Sequence, residues 1–207
     1  MSLVLSTLRS SKVIPVVVAD DEKQALKVAD ALLQGGIDCM EITLRTPRAF
    51  DAIAAVVAQG LGMTVGAGTI LNIDQFQKAQ LAGAHFFVSP GLSAELLVHA
   101  TTSQLPYLPG VSTCSEIMEA LAHGYYELKL FPASVVGGVS FLKSLKGPFA
   151  QVNFCPTGGI DGSNFADYLA LDNVFAVGGS WMVPREMVAR SDWAGIERLA
   201  RQTQGAL

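Results

Sequence analysis

One lysine of this chain lies where a charged side chain is out of place, inside a predicted strand. Lys129 is in the middle of the segment 127–132, ELKLFP, whereas the other six lysines fall in predicted loops or at outer positions of predicted helices. Side chains alternate along a strand, so Leu128 and Leu130 share one face and Lys129 lies on the other. Burial disfavours the charged form of an amine, and a neutral amine attacks carbonyl carbons. The position predicts a Schiff-base lysine, with a structural ion pair as the alternative.

A second predicted strand carries three polar residues on a face that should be buried. In the segment 40–45, MEITLR, the residues Glu41, Thr43 and Arg45 alternate with apolar ones. A carboxylate can transfer protons, and the planar guanidinium of Arg45 matches a ligand carboxylate. Two structural alternatives stay open, an ion pair of Glu41 with Lys129 or Arg45 and a salt bridge of Arg45 at the rim. An amine, a carboxylate and a carboxylate clamp together indicate carbon–carbon bond chemistry on a 2-oxo acid.

Two glycine-rich segments follow the last two predicted strands. Gly158 and Gly159 lie in the segment PTGGI, and Gly179 and Ser180 lie in VGGSW. The loops after strands seven and eight of a (β/α)8 barrel frequently bind phosphate through backbone N–H groups. A double glycine also serves in ordinary turns, so one pair alone is weak evidence. Both pairs at the appropriate strand ends predict a phosphate site.

The elements that must position these residues alternate along the whole chain. Apolar, strand-like runs begin near residues 13, 37, 64, 85, 105, 126, 152 and 174, a spacing of roughly 20 to 27 residues, with amphipathic segments between them. Eight strand–helix units predict an α/β fold, a (β/α)8 TIM barrel in a single domain over residues 1–207. An open doubly wound sheet is the alternative, but the first turn, residues 18–22, reads VADDE and lacks the glycine-rich dinucleotide motif.

Composition excludes several classes of protein. Half of the 207 residues are apolar, the net charge is −4, and Lys and Arg form no cluster, which argues against nucleic acid and anionic membranes as partners. No apolar run is long enough to span a membrane, and the N-terminal sequence MSLVL lacks the pattern of a secretory signal. Three scattered cysteines without a CxxC motif favour a reducing cytoplasm. The three histidines lack metal-ligand spacing, so no metal is expected.

Six motifs carry a resemblance to a known family. They are EITLRT (41–46), GAGT (66–69), SPG (89–91), PGVST (109–113), KLFPA (129–133) and PTGGI (156–160). Together they resemble the class I aldolases that act on 2-keto-3-deoxy-6-phosphogluconate (KDPG), a family that includes the 4-hydroxy-2-oxoglutarate (KHG) aldolases. The resemblance extends from Val13 to Pro184, nearly the whole chain.

The resemblance implies a role for each matching residue. Lys129 matches the family's Schiff-base lysine and Glu41 its proton-transferring glutamate. Substrate-binding positions match at Arg45 and Thr69, which contact the pyruvate carboxylate, and at Pro90, Phe131 and Thr157, which line the same pocket. The phosphate site matches at Gly158, Gly159, Gly179 and Ser180. The family also implies a barrel without a cofactor that assembles as a homotrimer.

The expected activity is cleavage of KDPG to pyruvate and glyceraldehyde 3-phosphate, with KHG as a second substrate. The first strand, VIPVVVAD, lacks the basic residue of the galactonate-specific relatives, which favours the gluconate substrate over its epimer. Two alternatives belong to other classes. One is a phosphosugar isomerase or epimerase that uses Glu41 as a base, and the other is a sugar-phosphate binding module without catalysis.

Overall fold

The computed structural model of the protein describes residues 3–207, in which strands and helices alternate. The strands are β1 (Val13–Val17), β2 (Cys39–Thr43), β3 (Thr64–Gly68), β4 (Phe86–Val88), β5 (Tyr107–Leu108), β6 (Gly110–Val111), β7 (Glu127–Leu130), β8 (Asn153–Pro156) and β9 (Val177–Gly179). The helices are α1 (Leu3–Ser11), α2 (Glu22–Gln34), α3 (Ala49–Ala58), α4 (Ile73–Leu81), α5 (Ala94–Ser103), α6 (Cys114–Ala122), α7 (Gly138–Leu145), α8 (Phe165–Leu169), α9 (Arg185–Ala189) and α10 (Trp193–Gly205).

The strands are parallel and form two hydrogen-bonded groups. One has the order β5-β4-β3-β2-β1-β9 and the other the order β6-β7-β8. Isolated parallel bridges join Phe154 to Val174 and Thr157 to Gly178, between the β8 and β9 segments. The α/β class predicted from the sequence is confirmed, as a parallel sheet curled into a half-barrel. Because all pairings are parallel, the strands present their carboxyl ends to one edge.

The fifth predicted strand is divided in the structure. Pro109 separates β5 from β6, because proline has no N–H to contribute to a ladder. Its carbonyl still accepts a hydrogen bond from the Lys129 N–H at 2.9 Å, so this segment remains bound to β7.

Side chains cap the helices that follow the strands. Asp21, Asn72 and Ser93 each accept a hydrogen bond from the backbone N–H three residues later, at the start of α2, α4 and α5. Thr113 and Glu116 form a reciprocal capping box at the start of α6. Such caps satisfy N–H groups that have no partner within the helix. The loops at the carboxyl edge of the sheet are therefore fixed at their helical ends.

Helix α1 covers the opposite edge of the sheet. Arg9 forms an ion pair with Glu127 at the start of β7, and its guanidinium carbon lies 5.0 Å from the centroid of the Phe175 ring. Ser11 donates a hydrogen bond of 2.6 Å to Asp38, just before β2. These contacts occupy the amino edge, so an open site is expected at the carboxyl edge.

No helix within residues 3–207 combines the length and the apolar character needed to cross a membrane. The predicted domain of residues 1–207 and the interpretation of the N-terminal sequence both include Met1 and Ser2, which lie outside the described residues.

Candidate active site

A cavity of about 440 Å³ opens at the carboxyl edge of the sheet. Seven residues predicted from the sequence line it, namely Arg45, Phe131, Thr157, Gly158, Gly159, Gly179 and Ser180. The other four predicted residues, Lys129, Glu41, Thr69 and Pro90, are not part of its wall. The structure thus brings the proposed carboxylate clamp and both glycine segments to one space, and it places the proposed catalytic pair deeper.

Lys129 on β7 and Glu41 on β2 contact each other across the interior of the curled sheet. The Nζ atom of Lys129 lies 3.4 Å from Oε1 of Glu41, and the two residues are 5% and 3% exposed. The same Nζ lies 5.2 Å from the centroid of the Phe131 ring, which lines the cavity. The pair therefore lies just beneath the cavity wall. Each charge offsets the desolvation cost of the other, because either one buried alone would be strongly destabilising.

The structural ion pair left open by the sequence is therefore present for Glu41 and Lys129. The contact serves both interpretations, since it balances two buried charges and also holds a carboxylate beside the amine. The rim salt bridge considered for Arg45 is not formed among residues 3–207. Within the described part of the chain, the Arg45 side chain makes one hydrogen bond, from Nε to Thr69 Oγ1 at 3.3 Å, and no ion pair.

Glu41 can occupy its position because residue 68 has no side chain. A Cβ atom on Gly68 would lie 1.9 Å from Oε1 of Glu41, far inside van der Waals contact. The next residue, Thr69, has a φ of 62°, a left-handed conformation that is costly for a β-branched residue. This backbone turns the Thr69 hydroxyl toward Arg45. The motif GAGT thus makes room for one predicted residue and orients another.

The two glycine segments form the other side of the cavity. Gly158 and Gly159 have φ values of 96° and 74°, which other residues rarely adopt. Gly179 and Ser180 reach the same cavity from the end of β9. Main chain without side chains lets a ligand approach the backbone closely, as a phosphate site requires.

A comparison with protein-family models gives a match to KDPG and KHG aldolase over residues 4–199. The chain belongs to this family. It is 48% identical over 194 residues to the 2-dehydro-3-deoxy-phosphogluconate aldolase of Pseudomonas aeruginosa, which covers 94% of this chain and 88% of the relative. It is 46% identical to the KHG/KDPG aldolase of Escherichia coli over 95% of this chain and 92% of the relative. The resemblance inferred from the motifs is confirmed.

A solved structure of the family has nearly the same backbone. It is the KDPG aldolase of Legionella pneumophila with pyruvate captured at low pH as a covalent carbinolamine intermediate. The TM-score is 0.94 at 42% identity, and the match covers 98% of both chains.

Cys155 is a neighbour of Lys129 that the sequence analysis did not single out. It pairs in register with Lys129 across β7 and β8 and is buried. Burial raises the pKa of its thiol from 9.0 to about 12, although the charge of Lys129 acts in the opposite direction. The thiol is therefore neutral at physiological pH and does not compete with the amine as a nucleophile.

Three further residues fix the loop of Pro90. Ser89 donates a hydrogen bond of 2.7 Å to the Gly91 carbonyl and accepts one of 3.2 Å from the Gly110 N–H. The Tyr107 hydroxyl lies 2.7 Å from Ser89 Oγ, and burial raises its pKa. Gly110 is also the register partner of Lys129, so this network ties the Pro90 loop to the strand of the lysine. Ser89 and Gly110 belong to the motifs SPG and PGVST. Their hydrogen bond joins residues from the segments of two different strands, which a local motif does not reveal.

The cavity has lining residues that the sequence analysis missed. They are Val16, Val18, Thr46, Ile160, Val183, Arg185 and Val188. Of the apolar ones, Val16 and Val18 lie at and just after the end of β1, Ile160 and Val183 lie in loops, and Val188 lies in the five-residue helix α9. These segments are too short for a periodicity that would mark them. Arg185 is the charged member of this set.

Proposed function

We propose that this chain is a Schiff-base aldolase that cleaves KDPG to pyruvate and glyceraldehyde 3-phosphate, and KHG to pyruvate and glyoxylate. One observation supports this above the others. The Lys129 amine lies 3.4 Å from the Glu41 carboxylate, beneath a cavity that has an arginine on one side and glycine loops on the other. The chain is a lyase of the KDPG and KHG aldolase family.

The reaction uses the amine as nucleophile and the carboxylate as proton carrier. Transfer of a proton from Lys129 to Glu41 leaves a neutral amine, which attacks the C2 carbonyl and forms a carbinolamine. Glu41 returns this proton to the carbinolamine hydroxyl, which leaves as water and gives an iminium. Glu41 then removes the C4 hydroxyl proton, the C3–C4 bond breaks, and its electron pair moves into the iminium to give an enamine. Return of the proton to C3 and hydrolysis release pyruvate and regenerate the amine.

The remaining predicted residues bind the substrate in this proposal. Arg45 and Thr69 hold the C1 carboxylate, because a guanidinium and a hydroxyl joined by a hydrogen bond present donors together. Pro90, Phe131 and Thr157 enclose the pyruvate portion. The backbone of Gly158, Gly159 and Gly179, with Ser180, holds the phosphate. The absence of a basic residue from β1 and residues 18–20 favours KDPG over its galactonate epimer.

We propose further that the two strand groups close into one (β/α)8 barrel within a single domain of residues 1–207. Support comes from the parallel bridges between the β8 and β9 segments and from the hydrogen bond between the Lys129 N–H and the Pro109 carbonyl.

A homotrimer is proposed from family resemblance. An apolar recess of about 520 Å³ between α4 and α5, beside Val98, which is 55% exposed, offers a surface for a second copy. A cytoplasmic location is proposed from the scattered free cysteines.

The first test is reduction with borohydride in the presence and absence of pyruvate, followed by intact mass and peptide mapping. A stable pyruvyl adduct on Lys129 is expected. The variant Lys146→Met is a matched control, because Lys146 lies on the surface in an ion pair with Asp172. Folded wild-type protein without an adduct would rule out the iminium mechanism.

The second test separates an aldolase from an isomerase that uses Glu41 alone. Lys129→Arg keeps a positive charge beside Glu41 but removes the nucleophile, so we expect KDPG cleavage to fall by more than about a thousandfold. The measurement is kcat/KM for KDPG, together with phosphosugar isomerisation. Cleavage by Lys129→Arg close to that of the wild type would contradict the proposal.

A further inference from the structure

Among the residues that the structure describes, two charged ones line the cavity, and both are arginines. Arg45 lies near Thr69 at the side proposed to hold the carboxylate, and Arg185 follows the loop that carries Gly179 and Ser180. Within residues 3–207, no acidic side chain contributes to the cavity wall. In a chain with a net charge of −4, two cations facing one cavity create a local positive field that attracts a ligand with two negative groups.

The Arg185 side chain is weakly engaged elsewhere. In residues 3–207 its ion-pair partner is Asp20, at 3.8 Å, and the two side chains are 72% and 58% exposed. An exposed pair at this separation contributes little stability. Arg48, by comparison, has carboxylates on both Glu22 and Asp51 within 3.1 Å. The guanidinium of Arg185 can therefore turn to a ligand at small cost.

The geometry points to Arg185 as a specificity-determining residue that binds the distal phosphate of the substrate. This inference rests on the proposed aldolase function. The glycine loops offer neutral donors, whereas a phosphate ester carries nearly two negative charges. A guanidinium adds charge-assisted, bidentate hydrogen bonds to the phosphate oxygens. Arg185 thus selects phosphorylated 2-oxo acids over unphosphorylated ones, while Arg45 binds the carboxylate that both classes share.

The effect should depend on the substrate. KDPG carries its phosphate at the end remote from the carboxylate, and 2-keto-3-deoxygluconate has a hydroxyl there. Loss of a charge-assisted interaction corresponds to about a 10- to 100-fold change in affinity. This loss should apply to KDPG and leave 2-keto-3-deoxygluconate unaffected. Condensation of pyruvate with Lys129 should also be unaffected, because pyruvate does not reach the glycine loops.

The experiment compares Arg185→Met, Arg185→Lys and the control Arg190→Met. Arg190 directly follows α9, the helix that begins at Arg185. It is exposed and does not line the cavity. The readouts are kcat/KM for KDPG and for 2-keto-3-deoxygluconate, borohydride trapping with pyruvate, and binding of inorganic phosphate followed by phosphorus NMR. For Arg185→Met we expect a 10- to 100-fold loss with KDPG, mainly in KM, and weaker phosphate binding. Arg185→Lys should recover part of both.

Three results would overturn the inference. They are unchanged KDPG kinetics in Arg185→Met, equal losses with both substrates, and an equal loss in Arg190→Met. The failure of the proposed function has a different signature, wild-type protein that neither cleaves KDPG nor traps pyruvate. In that case phosphate binding still decides the role of Arg185, because it requires no turnover.

Discussion

At the scale of single residues, the site depends on an absent side chain as much as on those present. Glu41 reaches Lys129 through the space left by Gly68, and the strained Thr69 beside it holds Arg45. Strained backbone persists where its surroundings enforce it, and it is commonly found at functional sites. Two consecutive residues at the end of β3 therefore position two different charged side chains.

Replacement of Gly68 by alanine tests this arrangement. The added methyl group would overlap the Glu41 carboxylate, so the carboxylate must move away from Lys129. We expect kcat for KDPG to fall by about 100-fold or more, in line with the loss of a positioned proton carrier. Gly147→Ala is the control, because its Cβ would meet nothing within 4 Å. Activity of Gly68→Ala equal to that of this control would contradict the role assigned to Gly68.

At the scale of elements, the loops that carry the site are held by the helices that follow them. Glu116 in α6 accepts four hydrogen bonds, two each from Ser112 and Thr113, directly after β6. Partial burial alone would raise the pKa of Glu116, but these hydrogen bonds outweigh it and lower the pKa below 4.5. The ionised carboxylate therefore stabilises the loop next to the strand of Lys129.

Glu116→Gln should lower the free energy of unfolding at pH 7 by about 1 kcal/mol, the usual contribution of a cap. A lowered carboxyl pKa in the folded state gives stability that is present above the unfolded value of 4.5 and is lost as the pH falls through the folded value. The difference between wild type and variant should thus shrink in acid. Urea unfolding at several pH values measures it, with the exposed Glu119→Gln as control. A constant difference at all pH values would refute the assignment.

The sequence predicted the elements better than their mutual contacts. Strand alternation predicted that Lys129 and Glu41 lie on inward faces, and both side chains are buried in the structure. Their contact joins residues 88 apart in sequence, which no local pattern contains. The division of the fifth strand follows from the missing N–H of Pro109. Arg185 lies beyond the last strand, at the start of a five-residue helix, where neither periodicity nor a motif marks it.

At the scale of the whole molecule, buried thiols make the fold sensitive to alkali. Burial raises the pKa of both Cys39 and Cys155 from 9.0 to about 12. Between these values the unfolded chain loses thiol protons that the folded chain keeps. The unfolded state then binds fewer protons, so the free energy of unfolding falls as the pH rises.

Each buried thiol should contribute a decrease of about 1.4 kcal/mol per pH unit above pH 9. Cys39→Ala is expected to reduce this slope by the share of one thiol, whereas Cys114→Ala should leave it unchanged because Cys114 is exposed. Urea unfolding between pH 7 and alkaline pH gives the slopes. Equal slopes in the two variants would show that Cys39 is not protected from ionisation by burial.

The location of the cavity relative to the amino edge has a consequence for the order of events in the proposed turnover. Arg9, Glu127 and Phe175 occupy that edge, and the cavity opens at the other. In the proposed reaction, substrate and products use the opening of this cavity, with Lys129 at its inner end. The aldehyde fragment, formed nearer the opening, must depart before the fragment still attached to the amine can follow. The pyruvate portion of the substrate, which binds deepest in the cavity, is therefore expected to leave last.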